Sequence, residues 1–437
     1  MRRASSSRSI GIVALALVGG GPAAAQLPSA SARALGMGDN YTALARGYST
    51  VAWNPAGLAM PDGPGTSLVV LLPVVRSGAG VGPIGAGEFS RRGGELLSDD
   101  VKRRWFARIA GAGSERGAAS ADVTYFALGV GRVAVQLSSK ADVSATIPAD
   151  VMEFMLFGNA GRLPGRQDPS RRAMAIDLAA TSTLAASYGH PIRLSRHPGG
   201  DQRLGVGATL KYTVGHAFAR GRSAGSALTS DPGRLQARFP LVQTETSYHG
   251  VGDLWKGGGV GVDVGAMWQR RGWTVGLAAQ NVLDTFRWDT ARLRFRRAEA
   301  LVDGDRTSSD FELRPFADAP PALRRQVATL SFRPALAAGV SARLTPRLTV
   351  SSDLRRQFGD GIGTGVASHV GAGAEYRMLP FLPVRGGVAV VTGGYQAGGG
   401  LAIELGPVDV ALSAIARRTE TFGAGGVAML GIVVGDR

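Results

Sequence analysis

Five histidines, His190, His197, His216, His249 and His369, are the groups in this chain best suited to acid–base chemistry, and their spacing spells out no catalytic motif. There is no HExxH helix pair for a metalloprotease, no nucleophile elbow and no phosphate-cradling loop. A His–Ser pairing could arise only through the fold. The run GGGVGVDVG at 257–265 has the glycines of a phosphate loop but lies inside an alternating segment, so it reads as strand glycine. With no cysteine, thiolate metal sites and disulfides are excluded. The chain is therefore expected not to be an enzyme and to carry no cofactor or metal. A second set of chemically capable residues is more orderly: Lys211, Asp263, Asp353, Arg355, Glu375, Arg377, Arg385, Glu404 and Asp409. Each sits on the small or polar face of an alternating stretch. Charges so placed are candidates to face a shared interior.

The stretches that must position them have a period of two. In 203–214, Leu204, Val206, Ala208, Leu210, Tyr212 and Val214 share one face, opposite Arg203, Gly205, Gly207, Thr209, Lys211 and Thr213. In 259–268, Val260, Val262, Val264, Ala266 and Trp268 oppose glycines, Asp263 and Met267. The same pattern recurs at 334–344 and 369–377. Strict alternation is the mark of strands with one apolar side. It predicts fourteen of them, near 66–75, 122–130, 132–140, 176–189, 203–216, 259–270, 272–281, 334–344, 347–356, 368–377, 383–391, 396–405, 408–417 and 425–434.

The connections separate a sandwich from a barrel. Those after even-numbered strands are mostly tight, such as Gly131, Arg271, Thr345-Pro346 and Gly406-Pro407. All the long ones, 76–121, 141–175, 217–258 and 282–333, follow odd-numbered strands. Short turns at one rim and long loops at the other organise outer-membrane barrels, and closure leaves no strand edge unpaired in lipid. Trp268, Trp273, Tyr188, Tyr376 and Phe381 cluster near the short-turn rim, where an aromatic belt meets headgroups. The expected fold is all-β, a transmembrane antiparallel β-barrel of about 14 strands, in the bacterial outer membrane. Its surroundings are then outer-membrane lipid and lipopolysaccharide. Lysine and arginine total 49, of which only Lys102, Lys140, Lys211 and Lys256 are lysines. The excess of arginine fits either phosphate-binding surfaces or a compositional bias. Without a basic helix or aromatic–basic module, nucleic acid is not an expected partner.

Three domains are expected. Residues 1–25 have a positive start, an apolar run at Ile10–Val18 and small residues at Ala23–Ala25, the layout of a secretory signal peptide. Residues 26–65 are too small-sided for a strand and too apolar for a tail. They fit a plug inside the lumen, with short helical pieces around Ala43–Arg46 and before Trp53 and a turn at Asn54-Pro55. Residues 66–437 form the barrel.

The stretch ARALGMGDNYTALARGYSTVAWNPAGLAM (32–60) resembles the amino-terminal signature of the FadL/TodX superfamily and its PorV/PorQ-like relatives. There, a GMG segment (here Gly36, Met37, Gly38) and an NPA turn (here Trp53, Asn54, Pro55, Ala56) precede a fourteen-stranded barrel. Residues 262–284 and 371–390 are similar to two hairpins of the PorV-like branch. The FadL side implies passive uptake of hydrophobic or amphipathic small molecules. The PorV side implies a non-transporting barrel serving secretion-system or surface proteins. The chain departs from FadL-like barrels in ending on VVGDR rather than an aromatic residue, and in placing charges where fatty-acid transporters line the pore with apolar groups.

Val206, Val262 or Val264 changed to Arg should impair barrel assembly by about 2–4 kcal/mol near the bilayer midplane. The same change at Gly205 or Gly261 should act on the lumen instead. Heat-modifiability on gels separates the two, and equal effects on both faces would refute a lipid-facing stripe.

Overall fold

In a computed structural model, the described residues are 27, 29–69, 74–92, 96–157, 174–192, 202–222, 227–231, 234–245, 250–303, 306–359, 361–362, 366–420 and 423–435. The expected signal peptide, Pro73, His197 and His249 lie outside them. Among the described residues no helix is long and apolar enough to cross a membrane.

Fourteen antiparallel strands close into one barrel. The first, β1, comes in two pieces, Thr66–Val69 and Val74–Gly82. Then follow β2 (Ser114–Val130), β3 (Val133–Pro148), β4 (Ala175–Ile192), β5 (Gln202–Arg222), β6 (Gly257–Arg270) and β7 (Trp273–Asp284). The ring continues through β8 (Ala335–Thr345), β9 (Leu348–Gln357), β10 (Ser368–Leu379), β11 (Leu382–Val391), β12 (Gly394–Leu405), β13 (Val408–Thr419) and β14 (Gly423–Gly435). Each strand pairs with the next, and β14 returns to both pieces of β1, with Ser67 opposite Gly435 and Val75 opposite Leu430. Closure satisfies the last edge.

The alternating faces divide as the period requires. Leu210, Val264, Leu277, Leu336, Val388 and Leu412 stand exposed on the outer wall, while Thr209, Asp263, Ser341, Gln396 and Ser413 are buried inside it. Near the short-turn rim Tyr188, Trp273, Tyr376 and Phe381 are exposed, while Trp268 is half-buried. The tight turns fall at Gly131-Arg132, Arg271-Gly272, Pro346-Arg347, Pro380-Phe381 and Gly406-Pro407. Arg271 and Gly272 both have positive φ (47° and 82°), the backbone that matches a two-residue hairpin to strand twist.

β1, β2, β3 and β5 run well past the predicted ends at the long-loop rim, to Gly82, Ser114, Pro148 and Arg222, because they keep pairing beyond bilayer height there. There Ala219–Gly221 of β5 also takes up the short strand Leu241–Thr244. Two apolar clusters sit at that rim. One gathers Ile84, Val101, Trp105, Ile109 and Met152. Its long helix (Asp99–Ala112) has Asp99 and Asp100 in the first turn and closes on Gly113 at φ 78°, each favourable at its end. The other packs Phe218, Phe286, Trp288, Leu293 and Phe295 against Leu323 and Val327 of the helix Pro321–Ala328. A separate four-stranded sheet (227–231, 234–238, 299–303, 306–310) completes this end.

Epitope tags at Leu254-Trp255 or after Phe311, exposed positions of the long loops, should be reachable from outside intact cells. Tags at Arg271-Gly272 or Pro346-Arg347 should not be. Labelling of both sets from one side would contradict the sorting of the loops.

Candidate functional site

The interior of the ring is occupied by the chain's own residues 29–60, which are almost all buried. Ser31 caps a one-turn helix, α1 (Ala32–Gly36), accepting from the Ala34 N–H at 3.2 Å. A 3-10 turn follows at Gly47–Val51 and another at Pro55–Ala59. The short helix before Trp53 was predicted. Around Ala43–Arg46 there is only a turn, closed by Leu44 and Ala45 N–H groups on the Tyr41 carbonyl, and α1 itself is not written in the helical periodicity. Tyr41 packs edge-to-face on Trp53 at 5.6 Å, and the Trp53 indole donates to Ser29 at 2.8 Å.

The wall is cut back to receive this segment. A Cβ on Gly373 would lie 2.6 Å from the Met37 carbonyl oxygen, and one on Gly387 would overlap it. Gly276 and Gly339 face Thr42 and Ala43 in the same way, Gly265 faces Asn54, Gly207 faces Pro55-Ala56, and Gly189 faces Leu58. Several of these glycines are cross-strand neighbours: Gly189 with Gly207 and Gly207 with Gly265, Gly276 with Gly339, Gly373 with Gly387. They form shallow tracks in the sheet. All of these glycines lie within strands, not in loops.

Within the predicted motifs, Gly36 abuts Gly400 and Ser413, and Gly38 (φ 67°) lies against Gly387. Asn54 makes the local turn, accepting from the Ala56 N–H at 3.1 Å, and Pro55 opens the 3-10 turn. Its amide also reaches the wall, donating to the carbonyls of Ala266 (3.3 Å) on β6 and Leu277 (3.2 Å) on β7. That second role could not be read locally.

The nine charged positions are distributed among three groups. Lys211 bonds Asp263 and Asn281, and Asn281 (φ 51°) is raised on a bulge where β6 and β7 lose register. Asp353 accepts from Tyr41 N–H (2.9 Å), Thr42 N–H (2.8 Å) and the Thr42 hydroxyl (2.7 Å). Beside it Arg355 donates to the Asp39 carbonyl at 3.0 Å and lies over the Trp53 ring at 4.9 Å. The third group faces the short-turn rim. Glu375 is held by Arg33 (2.8 Å) and Arg385 (2.7 Å), and Arg377 by Glu404 (2.6 Å), with Asp409 nearby. Arg76 and Asp39, which no motif marked, form a forked pair at 2.9 and 3.2 Å. At the segment's end Arg46 binds Asp62 at 2.7 Å. Burial works to raise the Asp62 carboxyl, and the Arg46 guanidinium outweighs it, leaving the group below the usual carboxylate range.

The histidines assemble no catalytic set among the described residues. His369 is buried against Asn40 (2.9 Å), and His190 is exposed beside Tyr188. His216 does meet a serine, Ser182, at 2.7 Å, but its other nitrogen faces the Leu254 carbonyl rather than a carboxylate. Two cavities flank the inner segment. The one toward the long loops, lined by Leu27, Lys211, Asn281 and Phe332, has about 30 Å³. The one toward the short turns has about 550 Å³.

This architecture is a closed, antiparallel, fourteen-stranded barrel. It is similar to the Ralstonia pickettii toluene transporter TbuX (15% identity, 94% of this chain and 99% of that one, TM-score 0.51). It also resembles the TodX deltaS2S3 mutant monoaromatic hydrocarbon channel (10% identity, 94% and 98%, TM-score 0.50). At these identities the likeness is one of fold. Residues 118–282 match a family of unknown function, DUF5723. No curated protein matches in sequence.

Asp353→Ala leaves three buried donors unpaired, at about 1–3 kcal/mol each. It should expose Arg33 and Arg46 to trypsin in the folded barrel while the barrel itself stays heat-modifiable. Unchanged protection would show that the glycine tracks alone seat the segment.

Proposed function

We propose that this protein is a bacterial outer-membrane channel for passive uptake of hydrophobic or amphipathic small molecules. Residues 1–25 serve as its leader and residues 26–65 as its plug. The observation that carries the reading is the way residues 29–60 stand across the lumen. They are held by side-chain hydrogen bonds, ion pairs and packing on glycine, not by strand pairing with the wall. Such contacts can be released without opening a sheet. With the segment in place, the 30 Å³ cavity beneath the long loops holds little more than water. In this reading, cargo passes when the segment yields. The roles of the similar structures, a toluene transporter and a monoaromatic hydrocarbon channel, support the same class of cargo. The many charged and polar groups on this chain's inner wall favour cargo with a polar end.

The test is removal of Gln26–Met60 behind an intact leader. The strands should still close into a heat-resistant barrel, and conductance in a planar bilayer should rise from near zero to a steady level. Asn54→Ala with Pro55→Ala should give flickering partial opening. Persisting zero conductance in a folded deletion variant would mean that the wall's own charges seal the lumen. The scaffold role, a barrel serving secretion or surface proteins, would then take its place.

A further inference from the structure

We infer that the short-turn rim, over the arc from β2 to β9, is a docking surface for the headgroups of anionic membrane phospholipid. Exposed arginines stand along it at successive connections. They are Arg132 between β2 and β3, Arg203 near the start of β5, Arg270 and Arg271 between β6 and β7, and Arg343 and Arg347 between β8 and β9. Arg132, Arg203, Arg270, Arg343 and Arg347 form no ion pair among the described residues. The exposed carboxylate at this end, among the described residues, is Asp62, and Arg46 already holds it. The long-loop end differs. There Arg108 has Glu88 (2.7 Å), Arg292 has Asp253 (2.8 Å) and Arg314 has Asp310 (2.8 Å). A uniform excess of arginine would not gather its carboxylate partners at one end of the barrel.

What makes the occupant a lipid is where these cations stand. Arg270 is directly across from Trp273 in the β6–β7 pair, and residues so opposed share a face. Trp273 is exposed on the outer wall, so Arg270 emerges on the lipid side. Arg132 lies one residue beyond Val133, which pairs with Tyr188, and both of these are exposed outward. Each cation is the next group below a column of apolar and aromatic side chains, at the height where such a belt meets headgroups. A guanidinium there can fork onto a phosphate while its stem lies against the neighbouring ring. A soluble acidic protein would match the charge but make no use of the rings. The inference rests on the barrel lying in a bilayer and is independent of the uptake reading.

Native mass spectrometry of the full purified barrel tests it, after incubation in detergent with equal amounts of dioleoyl phosphatidylglycerol and dioleoyl phosphatidylcholine. Phosphatidylglycerol should be retained at least tenfold over phosphatidylcholine, and the preference should shrink with added salt. Arg132→Gln, Arg270→Gln and Arg271→Gln together should lower phosphatidylglycerol retention at least tenfold and leave phosphatidylcholine unchanged. Arg108→Gln with Arg292→Gln, at the other end, should change neither. Should the triple variant fail the heat-modifiability check of folding, Arg132→Gln alone should still weaken retention severalfold. Equal retention of the two lipids, or retention indifferent to the rim variants, overturns the surface. Full displacement by inorganic phosphate reduces it to a general phosphate site and refutes the lipid. Polyglutamate binding at the rim without any phosphatidylglycerol preference marks a surface for an acidic protein and refutes the lipid equally.

Discussion

Everything in this molecule depends on closing the sheet. A strand buried in lipid has no water to satisfy its main chain, so fourteen strands are stable there only if the last finds the first. The pairing of β14 with both pieces of β1 makes that closure. Once the ring is shut, every strand has an outside that must be apolar and an inside free to be anything else. Asp263, Lys211, Asp353, Glu375 and Arg385 can be buried because the ring holds them away from lipid and brings partners within reach.

The inner segment uses that freedom. A charge inside the barrel needs a partner, and a residue pressed against the wall needs room. The structure answers the first need with Asp353 under Tyr41-Thr42 and Arg76 on Asp39. It answers the second with glycines opposite one another on neighbouring strands. In a strand, glycine weakens the sheet, and it is tolerated where another backbone approaches closely. Here the close approach is the rule over much of the wall. A segment seated this way is tightly packed and yet, among the described residues, pairs with no strand of its container.

The two ends of the barrel differ in chemistry for the same reason that their loops differ in length. The long-loop end carries its own apolar clusters, around Trp288 and around Trp105, and narrows toward the small cavity near Lys211. Among the described residues the connections at the short-turn end are two-residue turns, and the wider cavity there is shaped by the underside of the inner segment and by arginines.

Period and punctuation, both local properties, were enough to reveal the strands, their outward faces and the sorting of the turns, because a side chain's face in a strand follows from its position alone. The long-loop ends of β1, β2, β3 and β5 were not legible, since strands continue as long as a neighbour pairs with them, and the neighbour is distant in sequence. The small residues of 32–60 showed an unusual segment, but not α1, nor the wall contacts of Asn54. Of the charged groups, the inward positions could be listed from the alternation, whereas their partners could not. Arg76 and Asp39 stand 37 residues apart, and Tyr41 and Asp353 are 312 apart. The alternation sets which way a residue points. Only closure of the ring decides what it points at.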